Sequence, residues 1–339
     1  MFRRASCIFV ICALGALNGF SYEIKQLRKI RQIECATIHQ VEECFYSLDS
    51  FCFDRNGRLY VVDSGLNAVV VFDKDGKQVG AFGRKGQGPG EFMGQPRGAK
   101  LDITCGNDHL LYITDHGQQR ISVFKEDFSF IKNHPVPALR DNAAVNRAGD
   151  IFLLSQKEDG KVLCRYDPNL VLKNTFLDGS DHATSRYFPN LASGGRFSQY
   201  ALRKALAADD SLIVCSNISL KIFVFEDRDR LARSFDIDNE VFVKDFAERV
   251  KKLRSAKLPP GGTSAGILPF YLHLDQEGNI YLGYFNSSIG GFELYRYSQK
   301  GEFQTLYRFP EKVLGPFGTD PWGRFYGVSP ERTSVCVFE

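Results

Sequence analysis

The 339-residue chain contains no C-x-x-C pair, so neither a zinc ribbon nor a redox dithiol is written into it. No H-E-x-x-H marks a metalloprotease helix, and no G-x-x-x-x-G-K-[ST] marks a phosphate-binding loop. An excess of one charge is also missing. The 43 Lys and Arg against 40 Asp and Glu give +3, and about +1 without Arg3 and Arg4 (41 minus 40), too little for nucleic-acid binding driven by bulk charge. The 31 glycines follow no Gly-X-Y period, which excludes collagen. Beyond the first 21 residues no apolar run is long enough to cross a bilayer. What is present is a globular balance, 43% apolar and 24% charged, with 29 Phe and 14 Tyr that suit strands better than helices.

Residues 1–21 read as a secretory signal. Arg3 and Arg4 give a basic start, Ala5 to Leu17 are mostly apolar, and Gly19 and Ser21 offer small residues for a cut after Ser21. The competing reading, a single membrane anchor, has a run short of the ~20 residues that span a bilayer. The chain is therefore expected to be exported, to the periplasm or the extracellular space, with residues 22–339 as one domain. Seven cysteines then remain. Cys52, Cys164, Cys215 and Cys336 lie in apolar strand-like runs and are expected to be small core residues. If a bridge forms, Cys35–Cys44 is the expected pair, and the odd count leaves at least one thiol outside any bridge.

A unit recurs along the chain. An apolar residue and usually Asp lead through a Gly turn to an apolar–aromatic pair: Phe53-Asp54 to Leu59-Tyr60, Leu274-Asp275 to Ile280-Tyr281, and Thr319-Asp320 to Phe325-Tyr326. Val145-Asn146 leads to Ile151-Phe152, Leu101-Asp102 reaches Leu111-Tyr112 by a longer turn, and Leu206-Ala207 reaches Leu212-Ile213 without the Asp or the Gly. A β-rich tetrad ending in an aromatic follows each time, at Phe72, Phe124, Tyr166, Phe225, Tyr297 and Phe338. The offsets between anchors are 12, 12, 14, 12, 16 and 12 residues, whereas the spacing between units varies from 40 to 68. Constant spacing within units and variable loops between them predict an all-β fold: a six-bladed β-propeller of four-stranded antiparallel blades. The last unit ends one residue after its third-strand aromatic, Phe338. The unassigned segment from Lys29 to Ile38 is expected to supply the missing outer strand, so that an N-terminal strand closes the last blade.

The stretch from Ala81 through Gly83-Arg84-Lys85-Gly86-Gln87-Gly88-Pro89-Gly90-Glu91-Phe92 to Pro96-Arg97-Gly98 resembles the inter-blade linker of NHL-repeat propellers. Residues 112–124 are similar to the body of that repeat. As a whole the chain resembles exported bacterial six-bladed propellers of the NHL-like and TolB-like superfamily. That resemblance implies the fold. It leaves activity open, because the grouping holds binding modules as well as lyases and lactonases.

The chemistry-bearing residues are sparse. Gly262-Thr263-Ser264-Ala265-Gly266 matches G-x-S-x-G, but Pro259-Pro260 and Pro269 flank it where a nucleophile elbow needs a strand and a helix. His116, beside Asp115, falls in a loop of blade two, and His273 falls in the first strand of blade five, close to the expected channel. Scattered His and Asp could meet on the axis around zinc or calcium, as in amidating lyases of similar fold, but the Pro-His-Gly context of those enzymes is lacking. Asp115 with Arg120, and Asp63 with Asn67, are expected to fix their loops.

Residues 240–258 break the β pattern, with Val243, Phe246, Ala247, Val250 and Leu253 at helical spacing among basic residues, and predict an insertion helix laid over the propeller. Asn217-Ile218-Ser219 and Asn286-Ser287-Ser288 fit the glycosylation pattern, which matters only in a eukaryotic secretory route.

The expected function is a non-catalytic module that binds a peptide, glycan or protein ligand on its loop face, with no cofactor, no metal and no nucleic acid. Contact residues expected there are Arg97, His116, Arg140, Asn217, Tyr271, His273 and Asn286. The two guanidinium groups favour carboxylate- or phosphate-bearing ligands. The alternative is a metal-dependent lyase or lactonase with an axial Zn or Ca site.

Overall fold

Local chemistry explains the first anchor of the units that begin at Asp54, Asp275 and Asp320. The Asp54 carboxylate accepts the backbone N–H groups of Asn56 and Arg58 (both 2.9 Å), which fixes a turn in which Gly57 takes a φ of 74°. Its second oxygen accepts Arg58 Nε (2.6 Å) and the hydroxyl of buried Tyr60 (3.2 Å). The arrangement recurs at Asp320, with Trp322, Arg324 and Tyr326 as donors, and at Asp275, with Asn279 and Tyr281. The Asp therefore holds the turn and satisfies the buried tyrosine hydroxyl at once. The second anchor marks a register shift. In five blades the pairing of third and fourth strands slips just before the aromatic, at Phe72, Phe124, Tyr166, Phe225 and Tyr297.

The structure is a computed structural model that describes residues 22–38, 41–94, 100–137, 139, 141–155, 160–179, 202–216, 219–237, 243, 270–286 and 291–339. Six four-stranded antiparallel blades follow in chain order. Blade 1 comprises Leu48–Phe53, Leu59–Asp63, Ala68–Phe72 and Gln78–Phe82. Blade 2 comprises Leu101–Cys105, Leu110–Asp115, Arg120–Lys125 and Phe130–Pro135. Blade 3 comprises Ala144–Val145, Ile151–Leu154, Lys161–Tyr166 and Leu172–Asp178. Blade 4 comprises Leu202–Leu206, Leu212–Ser216, Lys221–Glu226 and Arg230–Asp236. Blade 5 comprises Phe270–Leu274, Ile280–Asn286, Gly291–Tyr297 and Phe303–Arg308. Blade 6 comprises Leu314–Thr319, Phe325–Val328, Val335–Phe338 and, from the other end of the chain, Lys29–Ile33. The first strands touch one another in a closed ring around the axis. Six clusters of buried side chains fill the six seams between neighbouring blades.

The N-terminal segment does more than the expected closure. Strand β1 (Glu23–Gln26) adds to the outer strand of blade 5 in parallel. Strand β2 (Lys29–Ile33) closes blade 6 against Val335–Phe338, and Arg28 and Glu339 exchange two backbone hydrogen bonds and an ion pair beyond it. The expected segment is too long at its C-terminal end. Cys35–Ile38 (β3) leaves blade 6 and pairs with Val41–Cys44 (β4) in a separate hairpin. That hairpin packs Ala36 and Ile38 into the seam between blades 6 and 1.

Cys52 corrects another expectation. It is no isolated core residue but is disulfide-bonded to Cys105, joining the first strands of blades 1 and 2. The strand pattern placed it among apolar neighbours, whereas blade-to-blade packing sets it opposite a second sulfur. Cys35 and Cys44 remain thiols. The expected signal at residues 1–21 and the G-x-S-x-G at 262–266 lie outside the described residues. So does the helix over 240–258, apart from Val243, which is helical and packs on the seam between blades 4 and 5. Among the described residues no helix is long and apolar enough to cross a membrane.

Candidate functional site

The first strands leave a cavity of about 600 Å³ along the axis, lined by residues from all six blades. It runs from Ser50, Asn142 and Lys204 toward the turns that hold Arg55, Gln276 and Pro321. Its walls are unequal. Blades 1 and 6 contribute Phe51, Phe53 and Phe317, while the opposite blades 3 and 4 contribute Ala143, Ala144, Ala205 and Ala208. Gly318 permits the aromatic wall. A Cβ there would lie 2.9 Å from the Phe51 ring and 3.7 Å from that of His273.

Polar groups punctuate this lining. Lys204 has a fully buried side chain whose Nζ donates to the Asp141 carboxylate and the Asn142 carbonyl. A buried ammonium is tolerable only when paired in this way. Near the turns, the Asn107 amide donates to the Ala207 carbonyl (2.8 Å) and Asp210 (2.7 Å), tying blade 2 to blade 4 across one end of the cavity. Lys204, Asp141 and the disulfide are the functional-site features that sequence reasoning missed. The legible signal was a lysine inside the short first strand Leu202–Leu206, where solvent is scarce.

Of the four expected contact residues that are described, one lines this cavity. His273 lines the cavity, but its Nε2 accepts the Thr319 backbone N–H (2.8 Å) and stands 2.8 Å from the Thr319 hydroxyl. Burial drives its pKa down to about 4, so it is a neutral imidazole tying blade 5 to blade 6. His116 sits at the end of blade 2 away from the turns, with Nε2 2.9 Å from Asp102 on the first strand. Burial works against its charge, but the hydrogen bond and charge of Asp102 outweigh that and raise its pKa.

Tyr271 turns into the seam between blades 5 and 6, its ring packed edge-on against Phe317 and tilted on Phe292. Asn286 is also interior. Its amide donates to the fully buried carboxylate of Glu293 (2.8 Å), which Tyr295 and Arg308 also contact, so a glycan there would require opening the blade. Arg97, Arg140 and Asn217 lie outside the described residues.

The loop-fixing residues have clear partners. Asp63 accepts the backbone N–H groups of Tyr46, Ser47, Gly65 and Leu66. Asp115 accepts those of Met93 and Gln118, and Arg120 donates to the carbonyls of Gln87, Gly88 and Glu91 in the glycine-rich linker. Among the described residues no three His, Cys, Asp or Glu side chains converge as metal ligands would.

Comparison with known proteins agrees with this architecture. A family model described as a 6-bladed beta-propeller, DUF5128, matches residues 41–240. The comparison with curated proteins returns no match. Among solved structures, a candidate exported protein from Bacteroides fragilis is 13% identical with a TM-score of 0.58, covering 92% of this chain and 94% of its own. A member of the DUF4221 family from Bacteroides vulgatus is 13% identical with a TM-score of 0.56, covering 92% and 97%. A virginiamycin B lyase from Staphylococcus aureus is 11% identical with a TM-score of 0.48, covering 91% and 98%, too distant to inform activity.

Proposed function

The chain belongs to the DUF5128 family of six-bladed β-propellers, and from that premise we propose that it is an exported, NHL-like binding module that seats part of a ligand in its axial channel. The observation that carries this reading is the cavity of about 600 Å³ walled by all six blades. That volume lies in the range that holds a small molecule or a few side chains of a peptide. One wall carries three phenylalanines and the facing wall four alanines beside Val145, Leu206, Asn142 and Lys204, which suits a flat, partly apolar group. Arg55 and Gln276 at the turn end supply polar contacts for whatever projects outward, as a peptide or glycan would.

The reading is non-catalytic. His273 is committed to Thr319 through its Nε2, and His116 is not among the residues that line the cavity, so neither imidazole is poised over it as a base. Export belongs to the same proposal. A disulfide persists in an oxidising compartment, and Cys52–Cys105 fits the periplasm or the extracellular space better than the cytosol.

The test is to plug the cavity. Ala205→Phe places a ring in the alanine wall. Saturation-transfer NMR against a panel of dipeptides, disaccharides and aromatic acids should give hits with the wild type that vanish in the variant, at unchanged melting temperature. Hits indifferent to the plug would refute axial binding.

A further inference from the structure

Among the described residues five cysteines are thiols, and three of them, Cys164, Cys215 and Cys336, are buried on blades 3, 4 and 6. Cys35 and Cys44 differ. They face each other directly across the β3–β4 hairpin, with their sulfurs 2.8 Å apart. The neighbouring hydrogen bond settles which kind of pair they form. The Phe45 N–H donates to the Glu34 carbonyl (2.9 Å), so the next pair inward, Cys35 with Cys44, is a non-hydrogen-bonded one. Antiparallel strands bring side chains closest at such pairs, at a Cα separation of about 4.5 Å, which lies inside the window a disulfide spans. Cys44 is exposed and Cys35 half-buried, so an oxidant reaches the pair without any opening of the blades.

We propose that Cys35 and Cys44 form a second disulfide in the exported protein, a latch on the junction where the ring closes. The hairpin joins the closing strand β2 to the first strand of blade 1. It is held on blade 1 by two hydrogen bonds between Thr37 and Gln78, and Ala36, Ile38 and Phe45 are buried in the closing seam. A bond at its base fixes the two strands that enter and leave that seam. The chemistry is an exchange with a donor disulfide, such as that of a thiol-oxidising protein. The Cys44 thiolate attacks one donor sulfur, the donor S–S bond breaks, and a mixed disulfide forms. The Cys35 thiolate then attacks the Cys44 sulfur and releases the donor as a dithiol. Two electrons and two protons pass from the pair to the donor.

While reduced, the pair is guarded. The hydrogen bond with Cys44, with Glu42 and Glu34 adding to it, pushes the Cys35 thiol up to about 11, so this sulfur holds little thiolate and resists stray electrophiles. The mixed disulfide removes the Cys44 thiol and with it the largest cause of that shift, which frees Cys35 to complete the exchange.

The latch rests on export and is independent of any ligand. The full chain is produced with secretion into an oxidising compartment, quenched in N-ethylmaleimide and mapped without reduction. Cys35 and Cys44 should escape labelling and appear in peptides joined by a bond, two hydrogens lighter than the reduced pair. Labelling of both without reduction overturns the proposal, provided Cys52 and Cys105 in the same sample are protected. If those two are labelled as well, it is the export reading that fails, and air-oxidised purified protein then decides the latch by the same map. Hydrogen exchange supplies a second readout. Cys44→Ser, or reductant on the wild type, should raise exchange of the hairpin amides several-fold, and unchanged exchange would remove the latch role.

Discussion

Replacing Cys52 and Cys105 together by alanine removes the bond between the first strands of blades 1 and 2 and adds no polar group to the cavity wall. The two residues are 53 apart in sequence. Closing a loop of that length in the unfolded chain is worth about 4 kcal/mol in the chain-entropy treatment of a cross-link. For a domain of this size the same loss lowers the melting temperature by ~6 °C, given an unfolding entropy of about 2.1 cal/mol/K per residue. Urea titration followed by circular dichroism measures it. The midpoint should fall and the slope should rise, because an unfolded chain without the cross-link exposes more surface. Wild type treated with reductant should superimpose on the double variant treated in the same way. A double variant within ~0.5 kcal/mol of oxidised wild type would refute the entropy argument, since surface-level effects are of that size. It would also mean that seam packing alone sets the alignment of these two blades.

Two further outcomes follow from buried titratable groups. Glu293 has a fully buried carboxylate held by Arg308 (2.8 Å), Asn286 and Tyr295. Arg308→Met should destabilise by about 3 kcal/mol, the low end for stranding a buried charge because two neutral donors remain, and adding Glu293→Gln should recover more than half. Simple additivity of the two losses in urea midpoints would count against the pair. His273 has its pKa lowered by burial from an ordinary 6.5 to about 4, so the unfolded state binds its proton more tightly. Its contribution is complete above pH 6.5 and is lost as pH falls toward 4. His273→Gln should flatten the unfolding midpoint over that window, and an unchanged acid limb would contradict the assignment.

How far the sequence carried the reading depends on which neighbours decide each feature. The turn Asp and its tyrosine are set by residues within six positions of each other, so Asp54 with Tyr60 and Asp320 with Tyr326 were visible as a repeat. The closing strand was visible because the last unit lacked one, and its pairing with Val335–Phe338 bears this out. The point where β2 ends was not visible, since a single residue, Glu34, separates it from a hairpin of similar composition. Contacts between blades were the least legible. Cys52 meets Cys105, Tyr271 meets Phe317, and Lys204 meets Asp141 across seams whose alignment no strand pattern encodes. The same blindness hid the cavity, whose asymmetry of phenylalanines and alanines appears only when opposite blades are set face to face.

The pairing of β2 with Val335–Phe338 also has a consequence for biosynthesis. Ile33 and Val335, which are register partners, are 302 residues apart (335 minus 33). While the ribosome is still adding the final residues, the early strand has nothing to join, and at ~5–20 residues per second it waits for a quarter of a minute or more. Contacts this distant in the chain make ring closure a late and slow event. A chain that must stay unclosed through synthesis is also one that can be threaded across a membrane before it locks.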